Sequence, residues 1–131
     1  MKTLANCKPS EFLAQTNKIR KSVAKWLEVT DIMNIRKRPI DIKADATEEE
    51  KKVALAKQVR ENLNDMFEQI LDKHPDETLE LIALLCFVEP KDVDKHPMME
   101  YLTAVSELLN DEAVISFFTS LVRLGNSGIF R

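Results

Sequence analysis

The sequence predicts an all-α fold, a single-domain bundle of about five helices spanning residues 1–131. Three observations carry this. Apolar residues recur at three- and four-residue spacing along several segments, the period of one helix face. Those segments are separated by capping residues and prolines of the kind that start and stop helices. Glycine is scarce, with Gly125 and Gly128 the only two, whereas a sandwich or barrel with many tight turns needs more. Hydrophobic residues make up 44% and charged residues 31% of the chain, the usage of a globular rather than a disordered protein. At 131 residues the chain is long enough to bury one sizeable core.

The first helix opens at Pro9-Ser10. Glu11 lies in its first turn, where a carboxylate meets the positive end of the helix dipole. Phe12, Thr16, Ile19, Val23, Trp26 and Leu27 share one face. The helix continues toward Ile35 or breaks near Thr30-Asp31, where the aspartate would cap a second segment. Pro39 ends the pattern, and residues 35–46 read as a loop or linker. The cluster Arg36-Lys37-Arg38 within it is either a solvated turn or a contact for an acidic surface.

The second helix starts at Thr47. Glu50 stands three residues later, the spacing of a capping box in which hydroxyl and carboxylate satisfy free backbone N–H groups reciprocally. Val53, Ala56, Val59, Leu63, Met66, Phe67, Ile70 and Leu71 form its apolar stripe, and the helix runs to Lys73. The pattern has too few repeats for a coiled coil, so the stripe is expected to cover a bundle core.

The stretch "DKHP" occurs twice, at Asp72–Pro75 and Asp94–Pro97, and contains both histidines of the chain. A residue before proline is pushed away from helical geometry, while proline suits the first helical position, where its missing N–H costs nothing. Both copies therefore read as helix punctuation. The third helix, Pro75 to Val88, is apolar nearly all round and is expected at the centre of the bundle. Cys86 within it reads as a small buried hydrophobe. The fourth helix follows Pro97 to about Asn110, with Met98, Tyr101, Leu102, Val105, Leu108 and Leu109 as its stripe. Asp111 caps the fifth helix, which stops at Gly125, a natural left-handed C-terminal residue. Residues 126–131 read as a flexible tail.

The fifth helix is apolar over roughly 200° of its wheel, about twice what a one-sided helix needs. Either it is wedged between two neighbours of its own bundle, or one edge is a surface for a partner or for self-association. Ile115, Phe118 and Val122 are the expected members of that edge, with Ile129 and Phe130 of the tail adding to it.

The chemistry of an enzyme is not written in these residues. Two histidines and one cysteine in an apolar run fall short of the ligand set of a zinc site, so no metal is expected. The serines fall on helices rather than on the strained turn that presents a nucleophile. There is no glycine-rich phosphate loop, so no cofactor is expected. The N-terminus lacks the apolar region of a secretory signal, and the longest apolar run, residues 81–88, is too short to span a bilayer. With two cysteines and no disulfide pattern, the expected compartment is a reducing cytoplasm.

Net charge is −3, divided as +6 over residues 1–43 and −9 over residues 44–131. This fits internal complementarity, or a basic surface at residues 18–38 serving a helical regulatory or nucleic-acid-associated adaptor. Nucleic acid is the weaker partner, because the chain as a whole is acidic and its basic residues are not interleaved with aromatics.

The second half, "ETLELIALLCFVEP" and then "HPMMEYLTAVSELLNDEAVISFFTSLVRLG", together with the opening "EFLAQTNKIRKSVAKWLEVTDIMNIRK", resembles the tail assembly chaperones of tailed phages and prophages of Gram-positive bacteria. The resemblance covers most of the chain and rests on no catalytic signature. It implies a non-catalytic chaperone that binds the long, helical tape measure protein, with the tail tube protein as a further contact. It also implies a location in the cytoplasm of the bacterial host and absence from the mature virion. A structural tail component that stays in the particle is the alternative within the same setting.

Overall fold

The computed structural model describes residues 1–40 and 42–126, and all regular structure among them is helical. The elements are α1 (Pro9–Thr30), α2 (Ile32–Arg36), α3 (Glu48–Phe67), a π-helical turn (Glu68–Lys73), α4 (Pro75–Leu85), a 3-10 turn (Pro90–Lys95), α5 (Met98–Leu109) and α6 (Glu112–Asn126). They group into two compact units. One comprises residues 1–22 and 79–131, the other residues 23–78, so the divisions fall inside α1 and α4.

In the first unit, α1 is started by Lys8, whose carbonyl accepts from Phe12 N at 2.8 Å. Glu11 reaches back to accept from Lys8 N at 3.1 Å, the carboxylate half of a capping box, and also pairs with Lys2. Those two contacts hold the Glu11 carboxyl below its usual pKa. The core is Cys86, Tyr101 and Ala104, with Ile82, Val88, Val93 and Val105 packed against them. The Tyr101 hydroxyl donates to the Val93 carbonyl at 2.8 Å, so the 3-10 turn, which the sequence pattern does not announce, is tied onto α5.

α4 ends at Leu85, earlier than its apolar run suggests. Val88 N donates to Ala83 O at 2.9 Å and Phe87 N to Leu84 O at 3.3 Å. These are the two bonds of a Schellman motif, with Phe87 at φ 56° in the left-handed position where glycine is usual. The apolar run is read correctly but the stop is not, because no glycine marks it. Of α4, Ala83 is buried and most of the other apolar residues only half-buried, so the helix is less central than expected.

Asp111 caps α6 through a bond from Val114 N to its Oδ1 at 2.9 Å. Gly125 does not end this helix, which runs to Asn126. The expected tail beyond it, with Ile129 and Phe130, lies outside the described residues.

In the second unit, the chain breaks between α1 and α2 at Asp31, which adopts φ 53°. Aspartate tolerates this left-handed geometry better than most residues. Its side chain does not cap the α2 backbone as the sequence suggested; it accepts instead from Asn34 Nδ2 at 2.6 Å. Ile35 and Arg36 belong to α2 rather than to the loop. Thr47 caps α3, its hydroxyl accepting from Glu50 N at 3.1 Å.

The expectation that the stripe of α3 covers a core is overturned. None of the α3 residues is buried. Val53 is 69% and Phe67 56% exposed, and Val59 and Leu63 are exposed as well. The half-buried side of α3 carries Lys51, Ala54, Gln58, Asn62, Asp65 and Met66, so of the stripe residues in α3 Met66 alone lies toward it. Arg38 holds that side, its guanidinium donating to Asp65 Oδ2 at 2.6 Å. The helix follows its 3.6-residue period, but periodicity gives only a face and not what the face meets.

The two "DKHP" stretches punctuate helices by slightly different means. The first closes the π turn, with His74 as its C-cap and Pro75 as the first residue of α4. The second closes the 3-10 turn, with His96 as C-cap and Pro97 as the N-cap of α5. His74 Nδ1 lies 3.7 Å from Glu77 and His96 Nδ1 2.9 Å from Glu100, both local helical pairs.

Candidate functional site

The first unit carries an apolar groove of about 440 Å³. One wall is α6, which contributes Val114, Ile115, Phe118, Thr119 and Val122. Leu108 and Leu109 at the end of α5 form the floor. Leu85 of α4, Ile19 of α1 and Leu4 of the N-terminal segment complete the lining. Among the described residues of the lining, Thr119 has the one polar side chain.

Three of the residues expected at a partner edge, Ile115, Phe118 and Val122, are therefore brought together on one wall. They follow from helical spacing, since 115, 118 and 122 are one turn apart. Val122 is 62% and Ile115 46% exposed, whereas Phe118 is half-buried. Phe118 is fixed by aromatic packing. Its ring stacks on Phe12 of α1 at 6.3 Å between centroids, and Phe117 meets Phe12 edge-to-face at 5.4 Å. Such pairs contribute about 0.5–1.5 kcal/mol beyond their buried area. The cluster pins α6 while leaving Ile115 and Val122 open to solvent.

Sequence reasoning missed the other side of the groove. Leu4 is 6% exposed yet sits in a segment with no periodicity, so no pattern singles it out. Leu109 belongs to the periodic stripe of α5, and it is 64% exposed. Gln15 was not singled out either. It is buried on α1, and its Nε2 donates to Leu84 O at 2.6 Å, supplying a donor to a carbonyl of the last turn of α4.

The groove offers shape and apolar surface, with a volume in the range of ligand sites, but its lining lacks the converging polar groups that orient a small polar substrate. Nearby ionisable groups do not change this. Burial pushes the Cys86 thiol and the Tyr101 phenol up from their ordinary values, which makes the thiol a poorer nucleophile at neutral pH. Among the described residues, no group of three or more His, Cys, Asp or Glu side chains is placed to hold a metal ion, and no helix is long and apolar enough to cross a membrane. In the basic region 18–38, Arg38 is engaged by Asp65 and Arg20 donates to Asn17 Oδ1 at 2.9 Å.

Compared with family models, with curated proteins and with solved structures, the chain matches none.

Proposed function

We propose that this protein is a non-catalytic binding protein whose α6 groove receives the apolar face of a partner helix, and that the partner is the tape measure protein of a phage tail. The observation that carries the binding reading is the groove itself: an open, almost wholly apolar trough whose wall presents Ile115, Phe118 and Val122 at one-turn intervals. An amphipathic helix laid in such a trough engages it through side chains at i, i+3, i+4 and i+7. The resemblance of the sequence to tail assembly chaperones supplies the identity of the partner. A tape measure protein is long and helical, and its apolar faces need cover until the tail tube forms around it. A chaperone with this groove would hold it soluble in the cytoplasm of the bacterial host and leave before the virion is complete, with the tail tube protein as a second contact.

Co-expression with a cognate tape measure protein tests this reading. The expected result is a higher soluble yield of the tape measure protein and co-elution of the two on size exclusion. Failure to form a complex, together with recovery of this protein from purified virions, would replace the chaperone with a structural tail component. Salt-sensitive binding to DNA would instead favour an adaptor acting through residues 18–38.

A further inference from the structure

We infer that residues 1–7 form a strap that closes one side of the α6 groove, and that Lys2, set between Glu11 and Phe87, is its latch. Leu4 is the strap residue in the groove lining, and it is buried there. Opening the strap removes Leu4 from the lining and leaves the remaining apolar residues with more open surface. The groove thus has a narrower and a wider form. The inference deepens the reading of the groove as a docking site, because the strap sets how much of that site a partner helix meets.

The strap can lift as a unit because its polar groups serve one another. Thr3 N donates to Asn6 Oδ1 at 2.9 Å, Asn6 N to Thr3 O at 3.2 Å and Ala5 N to Thr3 Oγ1 at 3.2 Å. Asn6 Nδ2 donates to Met1 O at 3.3 Å. Thr3 is buried, yet these bonds satisfy it from within the strap, so opening leaves no hydrogen-bond partner of Thr3 stranded on the body. Apart from van der Waals packing, the ties to the body run through Lys2. Its ammonium pairs with the Glu11 carboxylate in the first turn of α1 and stands 5.3 Å from the centroid of the Phe87 ring, just past the end of α4. The Lys2 and Glu11 side chains are 44% and 31% exposed, and a pair this open to water holds weakly. A segment with such a latch belongs to the low-stability end of a structure, where local opening precedes global unfolding. Glu11 also fixes the hinge. Its other carboxylate oxygen accepts from Lys8 N at 3.1 Å, so the opening stops at Lys8 and α1 does not fray. All of these residues lie in the first unit.

Two measurements test this, and neither involves the tape measure protein. The first is the rate at which a thiol reagent labels Leu4→Cys, followed at that site by mass spectrometry. Adding Lys2→Ala, or Glu11→Gln, which keeps an acceptor for Lys8 N, should raise the rate roughly two- to five-fold, the scale of an exposed ion pair. Phe87→Gly removes the ring while glycine suits the left-handed position at the end of α4, and it should raise the rate as well. Labelling that is indifferent to Lys2→Ala and Glu11→Gln overturns the latch. The second measurement is the fluorescence of anilinonaphthalene sulfonate, a dye that brightens on apolar surface. Leu4→Asp cannot keep the strap in an apolar lining, so it should bind several-fold more dye with an unchanged helical spectrum. No gain in dye binding takes the strap out of the groove, and loss of the helical spectrum makes Leu4 a core residue; either result overturns the inference. A failed pull-down of the tape measure protein counts against that partner alone, whereas unchanged labelling sinks the strap even where the pull-down succeeds.

Discussion

Trp26 Nε1 donates a 2.9 Å hydrogen bond to Thr78 Oγ1, joining two residues 52 positions apart. Thr78 Oγ1 also lies 2.9 Å from Ile70 O and 3.0 Å from His74 O, to either of which it can donate. One hydroxyl therefore gathers α1, the π turn and the start of α4. The π turn interrupts the regular i+4 ladder, and the Thr78 hydroxyl supplies a donor to that region beside the bond from Thr78 N to His74 O at 3.2 Å.

Replacing Thr78 by Val keeps the shape of the side chain and removes this node. The indole N–H then loses its acceptor in a partly buried place, and the carbonyl served by the hydroxyl loses that donor, while His74 O keeps the bond from Thr78 N. The expected cost is about 1–3 kcal/mol. Trp26 is the only tryptophan of the chain, so its fluorescence reports the change directly: a shifted emission in the folded protein and an earlier unfolding midpoint. An unchanged midpoint would show that water replaces the hydroxyl at no cost.

Two neighbours on α1 should behave in opposite ways. Gln15 is buried and bonded to Leu84 O, whereas Thr16 has a buried hydroxyl oxygen with no partner among the described residues. Gln15→Ala should therefore destabilise the protein, and Thr16→Val should stabilise it by about 1 kcal/mol, because an unsatisfied polar group is replaced by a methyl of the same size. Denaturant midpoints of the two variants decide this. A destabilised Thr16→Val would mean that its hydroxyl holds an ordered water.

These residues mark how far the sequence is legible. Helix starts at Pro9, Thr47, Pro75 and Asp111 are written in local chemistry, through capping side chains and proline, and the structure places them as read. The break at Asp31 is one of the two courses the pattern allows, and the structure takes it. What local pattern cannot carry is which neighbour a face meets. The α3 stripe and the α6 arc look alike as periodicity, yet Phe118 packs on Phe12 while Phe67 of α3 is largely exposed. The groove follows the same logic. Its α6 wall is periodic and could be anticipated, but Leu4 and Leu85 reach it through tertiary placement alone. Phe87 in a left-handed position is opaque for another reason: glycine is the signal for that site, and here a phenylalanine occupies it.

The core of the first unit should make the protein sensitive to alkali. The Cys86 thiol is raised from its ordinary 9.0, chiefly by burial. The Tyr101 phenol is raised from 10.0, first by burial, then by Cys86 and by the carboxylates of Asp94, Glu100 and Asp92. Both are neutral when protonated, so the folded protein holds these protons more tightly than the unfolded chain does. The stabilisation is thus fully present below the ordinary thiol value and is lost as pH rises through it and then past the phenol value. Unfolding midpoints measured from neutral to strongly alkaline pH should fall in that window. Cys86→Ala should flatten the earlier part of the fall, and a variant that keeps the wild-type profile would remove the thiol from the explanation.

Val122 separates a wall of the groove from a part of the core. At 62% exposed, its side chain can be replaced by a carboxylate that stays hydrated, so Val122→Asp should not bury an unpaired charge. Phe118, one turn earlier, is held between Phe12 and Phe117, and Phe118→Asp should be costly for folding. Thermal melting of the two variants should therefore differ sharply, with Val122→Asp close to wild type. Partner binding is the second measurement. A charge in the centre of an apolar trough opposes any apolar helix face laid across it, and the loss expected for a central contact is about 2 kcal/mol or more. Val122→Asp should thus fail to pull down the tape measure protein while melting normally, and Ile115→Asp should do the same. Normal melting with normal pull-down would take the groove out of the binding surface, and early melting of Val122→Asp would show that the residue contributes to the core.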